Sequence, residues 1–187
     1  MKNALLWLMV VTASMLFVSH ASAEENTYSN SEFKFMMKYP ENWKMKEDSD
    51  KMTSVCFAKK KCEIDNFVNK PQINLVMQDL KGTNTTSSKK YTSPEGIKTE
   101  CDVIEKGKKT WAGKSSYFTT MRCPEKKYWR YTTTITMTRK RSKMYNRYAL
   151  TCSMLSKSKD KAASVADYDK ELKMLCEEAI ASSRMLW

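Results

Sequence analysis

The chain has 187 residues and a formal net charge of +12; 41% of it is hydrophobic, 29% is charged, and it holds only four Gly and four Pro. That balance excludes disordered and collagen-like polymers, and the length suits one domain that buries about two-thirds of its unfolded surface. Six cysteines are too few for a miniprotein built on disulfides alone.

Lys2, the apolar run Ala4 to Val18 and the small-x-small motif Ala21-Ser22-Ala23 predict a secretory signal peptide over 1–23, which leaves 24–187 as a single domain. The run is short for a hydrocarbon core of about 30 Å, and no later segment is apolar enough to span a membrane. Export removes His20, the only histidine. Histidine-based triads, histidine general bases and imidazole-ligated zinc sites are thereby excluded from the mature chain. Four dispersed glycines, Gly82, Gly96, Gly107 and Gly113, provide no phosphate-cradling loop. Neither a cofactor nor a metal is expected. The leader carries one basic residue, so the mature chain stays strongly basic and suited to anionic partners.

In chain order, Phe33, Phe35, Met37 and Tyr39 alternate with polar residues and run into Pro40, Trp43 and Met45, a pattern for two short strands joined at a proline turn. Strands are predicted at 52–58 and at 73–80, where Ile73, Leu75 and Met77 share a face. The stretch from Gly82 to Gly96 reads either as a loop or as a helix starting at Ser93-Pro94-Glu95. A hairpin turning at Ala112-Gly113 would set residues summing to about 224 opposite each other, to within one residue. Trp129, Tyr131, Thr133, Ile135 and Met137 mark a half-buried strand. Met144, Tyr148, Leu150, Cys152 and Met154 mark another, with a charged loop over Arg139–Lys143 between them. After a linker at 157–161, Val165, Tyr168, Leu172, Cys176 and Ala179 form the stripe of an amphipathic helix.

An even cysteine count in an exported chain predicts three disulfides rather than a metal or redox site. Cys152 and Cys176 both face the core, and their pairing would tie helix to strand. The hairpin sets Cys101 opposite Cys123, and elimination pairs Cys56 with Cys62.

The segment Phe33-Lys34-Phe35-Met36-Met37-Lys38-Tyr39-Pro40-Glu41-Asn42-Trp43-Lys44-Met45 resembles the opening of PsbP-like and related bacterial envelope proteins, where an aromatic strand enters Pro-x-x-Trp. A Gly-centred hairpin, two long strands, a terminal helix and the closing Ser182-Ser183-Arg184-Met185-Leu186 are similar to that family's C-terminal half. The resemblance implies an α+β fold, an antiparallel sheet flanked by helices in an α/β/α sandwich. It implies no particular reaction, because the relatives are mostly accessory or binding modules, from an extrinsic photosystem subunit to a small-GTPase-binding factor. Six cysteines and a basic surface depart from the family pattern.

Hairpin turns alternate between the ends of an up-and-down sheet, so Lys108, Lys109, Lys114, Arg139, Lys140, Arg141 and Lys143 are expected to share one end as an anion-binding rim. Trp43, Trp111, Trp129, Tyr131 and Tyr148 read as core, while Tyr128 falls on the polar side beside Lys126 and Lys127. Catalysis without histidine would need a Ser-Lys pair or paired carboxylates. Glu41, Glu63, Asp65, Glu100, Asp102 and Glu105 have no distinguishing spacing, and no catalytic residue is assigned. The expected protein is a secreted or periplasmic, non-enzymatic binding or accessory module that contacts a protein or anionic envelope component. Sequence-specific nucleic-acid binding is not expected, and the alternative is a histidine-independent hydrolase of envelope polymer.

Overall fold

The computed structural model describes residues 25–48, 53–60, 62, 70–80, 101–141 and 144–186. The expected signal peptide and the loop-or-helix stretch from Gly82 to Gly96 lie outside the described residues. Nine of the strands fall before the helical segment: β1 (Glu25–Asn30), β2 (Phe35–Pro40), β3 (Lys44–Asp48), β4 (Thr53–Ala58), β5 (Gln72–Asp79), β6 (Asp102–Trp111), β7 (Lys114–Glu125), β8 (Tyr128–Arg141) and β9 (Met144–Leu155). Helix α1 (Lys161–Tyr168), a π-helical turn (Asp169–Lys173), helix α2 (Met174–Ser182) and the short strand β10 (Arg184–Met185) follow.

The strands form an antiparallel seven-stranded sheet in the order β3-β4-β5-β9-β8-β7-β6 and a three-stranded sheet in the order β1-β2-β10. Period-two alternation decides which face each residue joins. Val55, Leu75, Leu150, Ile135 and Phe118 lie in one register row across five strands, and all are buried. The opposite face shows Asn74, Thr151, Thr134 and Thr119 in the adjacent row.

The small sheet and the helical segment both pack on the apolar face. Phe35 meets the rings of Trp111 and Tyr148 at 5.8 Å each, and Tyr28 and Tyr39 flank Phe57. Tyr131 stacks on Tyr168 at 4.8 Å, and its hydroxyl shares a 2.7 Å hydrogen bond with Ser164. The Tyr148 hydroxyl donates to the Phe33 carbonyl at 2.7 Å, fastening the chain entering β2 to the large sheet. Buried residues of both sheets and the helical segment form one cluster.

This arrangement is more sheet-rich than the expected sandwich. Among the described residues helix occurs only between Lys161 and Ser182, and much of the core face is covered by a sheet instead. Strands β1 and β10 carry weak alternation of their own; they exist because β2 presents both edges to them.

Two local expectations are also corrected. Val165 is 37% exposed, and Ser164 takes the inward position. The buried positions Ser164, Tyr168, Leu172, Cys176 and Ile180 recur every fourth residue, and each such step overshoots an α-helical turn by about 40°. The wider π-helical turn at Asp169–Lys173 absorbs that drift. Arg139, Lys140 and Arg141 belong to β8 rather than to a loop, since the ladder with β9 runs to the Arg141↔Met144 pair.

The β6–β7 hairpin turns where expected, with Ala112 at φ 46° and Gly113 at φ 77°. Positive φ at both central residues matches the twist of the flanking strands. The pairs Asp102↔Arg122 and Val103↔Met121 keep the expected register, and a bulge at Ile104 shifts it by one residue from Glu105↔Thr120 onward. Gly107 sits opposite Phe118, and a Cβ there would lie 3.2 Å from the phenyl ring. All three disulfides form as expected: Cys56–Cys62, Cys101–Cys123 and Cys152–Cys176.

Candidate functional site

The register places the Ala112-Gly113 turn and the β8–β9 connection at one end of the large sheet, with the Lys126-Lys127 turn at the other. The same register divides the basic residues between two faces. Lys109 and Lys114 share the face of buried Trp111, and Arg139 pairs across from buried Asn146. Lys109 reaches Glu177 of α2 at 3.6 Å and lies 4.5 Å above the Phe118 ring. Lys108 lies on the opposite face, 5.1 Å above the ring of Tyr117, which is 56% exposed. Lys140 lies on that face too, in the ladder with Tyr145. The side chain of Arg141, and Lys143 entirely, lie outside the described residues.

The aromatic residues follow their strands. Trp43, Trp111, Tyr131 and Tyr148 are buried, while Tyr128 is 37% exposed. Trp129 is half-buried, flanked by Arg122 at 5.6 Å and Lys161 at 5.5 Å, and its indole N–H donates to the Lys159 carbonyl. Both cations also hold Asp102, at 2.8 and 2.9 Å. Hydrogen bonds from Lys161 and then from Arg122 keep the Asp102 carboxyl below the usual aspartate range. This cluster fastens β6 and β7 to the start of α1, with one carboxylate shared between two cations.

A groove of about 550 Å³ opens at the other end of the molecule, between the turn after β2, the start of β5 and the helical segment. Tyr39, Pro40, Trp43, Pro71 and Leu175 supply its apolar lining, and Lys59 and Lys70 stand on its β4–β5 side. Glu25 and Glu171 also line it, each in an ion pair, with Lys38 at 2.9 Å and Lys157 at 2.6 Å. Sequence analysis missed this groove because its lining comes from six separated segments. The Lys59-Lys60 pair was visible only as a loop between Cys56 and Cys62. Among the described residues no group of three or more His, Cys, Asp or Glu could hold a metal ion, and no helix is long and apolar enough to cross a membrane.

No protein-family model matches the chain, and no curated protein matches it in sequence. Solved structures do match. LpqN of Mycobacterium tuberculosis aligns over 88% of this chain and 91% of its own, with a TM-score of 0.58 at 9% identity. The Ran-binding protein Mog1p of Saccharomyces cerevisiae aligns over 88% and 97%, with a TM-score of 0.51 at 10% identity. The chain shares its fold with LpqN and Mog1p. Cyanobacterial PsbP of Synechocystis aligns over 89% of this chain and 95% of its own, at 12% identity and a TM-score of 0.49. At such identities the likeness concerns the backbone alone, and the site chemistry must come from this chain's own residues.

Proposed function

We propose that this PsbP-like chain is an exported, secreted or periplasmic accessory module of the cell envelope that works by binding rather than by turnover. The observation that carries the reading is that all six cysteines are paired in three disulfides tying strand to strand, strand to loop and strand to helix, the bonding pattern of an oxidising compartment. LpqN, described as involved in cell envelope biogenesis, shares the backbone and supports the setting.

The contact surface in this reading is the basic hairpin end. Lys108, Tyr117 and Lys140 present cations and an exposed ring on one face of the tip, while Lys114 and Arg139 project from the other. A tip engages a partner with both faces, so dividing the cations still leaves them within reach of one extended polyanion. Hydrolysis by paired carboxylates would draw on the groove, where Glu25 and Glu171 are each engaged by a lysine; a glycosidase needs two carboxyls that face each other across the bond to be cut.

Retention on heparin and on anionic liposomes tests the reading. Wild type is expected to be retained to higher salt than a variant with Arg139, Lys140 and Arg141 all changed to Gln. Identical retention removes the hairpin end as the contact surface. Recovery of the natively produced protein with six free thiols would remove the exported module itself.

A further inference from the structure

The groove carries an inference independent of the hairpin end. Its volume of about 550 Å³ lies in the range of small-molecule sites, which combine an apolar lining with a few convergent polar groups. Trp43 and Pro40 meet there because the β2–β3 turn is closed by the Trp43 amide donating to the Pro40 carbonyl at 3.0 Å. Leu175 faces them from α2, and Pro71 closes the side at the entry to β5. The result is an apolar wall able to hold a ring system or a short chain.

The charges at its edge are unbalanced. Lys38 and Lys157 are neutralised by Glu25 and Glu171. Lys59 and Lys60, just after β4, and Lys70, just before β5, have no carboxylate within ion-pair distance among the described residues. The ends of β4 and β5 are neighbours through the Ala58↔Gln72 pair, so the antiparallel pairing itself brings the three ammonium groups together. The Cys56–Cys62 bond closes the short loop that carries Lys59 and Lys60, which limits how far they can move apart. In keeping with this crowding, the charge of Lys60, followed by burial and by Lys59 and Lys157, holds the Lys70 ammonium below the ordinary lysine range. Glu178, on the helix side of the groove, gives the site polarity, with cations on one flank and a carboxylate on the other.

We propose that the groove binds a small organic anion, its apolar or aromatic body against Trp43, Pro71 and Leu175 and its phosphate or carboxylate head between Lys59, Lys60 and Lys70. Like charges held close by a backbone ladder and a disulfide are relieved when an anion enters, whereas an apolar wall alone would not choose a head group. Both halves of the ligand therefore contribute: neither the free ion nor the neutral body fills the site.

The test is calorimetric titration of the mature chain with 1-naphthyl phosphate and 1-naphthoate, and with 1-naphthol and inorganic phosphate separately. At least one naphthyl anion is expected to bind one-to-one, at least tenfold tighter than either 1-naphthol or inorganic phosphate, and the ratio of the two anions assigns the head group. Changing Lys59, Lys60 and Lys70 together to Gln, all solvent-facing and safe for folding, should weaken that binding at least tenfold. Leu175→Gln should weaken it severalfold, and Lys108→Gln with Lys140→Gln should leave it unchanged. Naphthol binding as tightly as the anions, unaltered binding by the triple variant, or no binding of either naphthyl anion would overturn the proposal.

Discussion

Replacing Cys152 and Cys176 together by alanine probes the physical basis of the fold. Their bond spans 24 positions and joins β9 to α2, so it fixes the helical segment onto the large sheet. Closing a loop of that length removes chain entropy worth about 3.5 kcal/mol from the unfolded state. Both residues are buried, at 0% and 2% exposure, so losing the two sulfurs also opens space within the buried cluster, costing roughly another 1–2 kcal/mol. Cys101 and Cys123 close a loop of similar size, 22 positions, but are only half-buried, so their double alanine variant should lose about 3.4 kcal/mol from chain entropy and little from packing. Urea unfolding followed by tryptophan fluorescence, without reductant, measures both. The expected result is a loss of about 5 kcal/mol for the core pair, with a melting temperature lower by roughly 10–20 °C, and a smaller loss for the hairpin pair. A core-pair loss below 1.5 kcal/mol, or below that of the hairpin pair, would refute the reasoning, since neither loop entropy nor burial would then be acting as the structure requires (about 3 kcal/mol being typical of such loops).

Tyr148→Phe strands the Phe33 carbonyl in the core without its donor; a loss of about 1–3 kcal/mol is expected with no change of fold, read from the urea midpoint and the circular dichroism spectrum. Acid stability follows from Asp102 and Asp167. Lys161 and Arg122 hold the first below the ordinary value of 3.8, and the Ser156 hydroxyl, followed by the Ser158 and Lys157 amides, does the same for the second. A folded-state pKa below the unfolded one means that the stabilisation is complete above pH 3.8 and is lost as pH falls through the lowered folded value. Changing both residues to Asn should flatten the acid limb of the stability profile and leave its alkaline limb alone, a comparison made by thermal melts at stepped pH.

Much of the large sheet was legible because its signals are local. Alternation in Trp129–Met137 and Met144–Met154 needs no knowledge of neighbours, since adjacent side chains on a strand must point to opposite faces. The cysteine pairing followed from the same parity once Cys152 and Cys176 fell on inward positions and Gly113 fixed the hairpin. Val165 was misplaced because a stripe recurring every fourth residue fits an α-helix only until its drift accumulates, and the π-helical turn that corrects it serves packing against β8 and β9. Strands β1 and β10 were invisible for a related reason: each is held by the backbone edges of β2 rather than by a pattern of its own.

The sequence by itself determined the parity of the strands, the partners of the six cysteines and the basic character of the chain, all consequences of side-chain order along a pleated backbone. Only the tertiary structure decided which residues meet across the chain. The register divided the predicted cations between two faces of the sheet, and the pairing of β4 with β5 brought Lys59, Lys60 and Lys70 together beside Trp43. A site built from several segments has no single stretch of sequence to announce it, because the distances that make it exist only after the sheets and helices have packed.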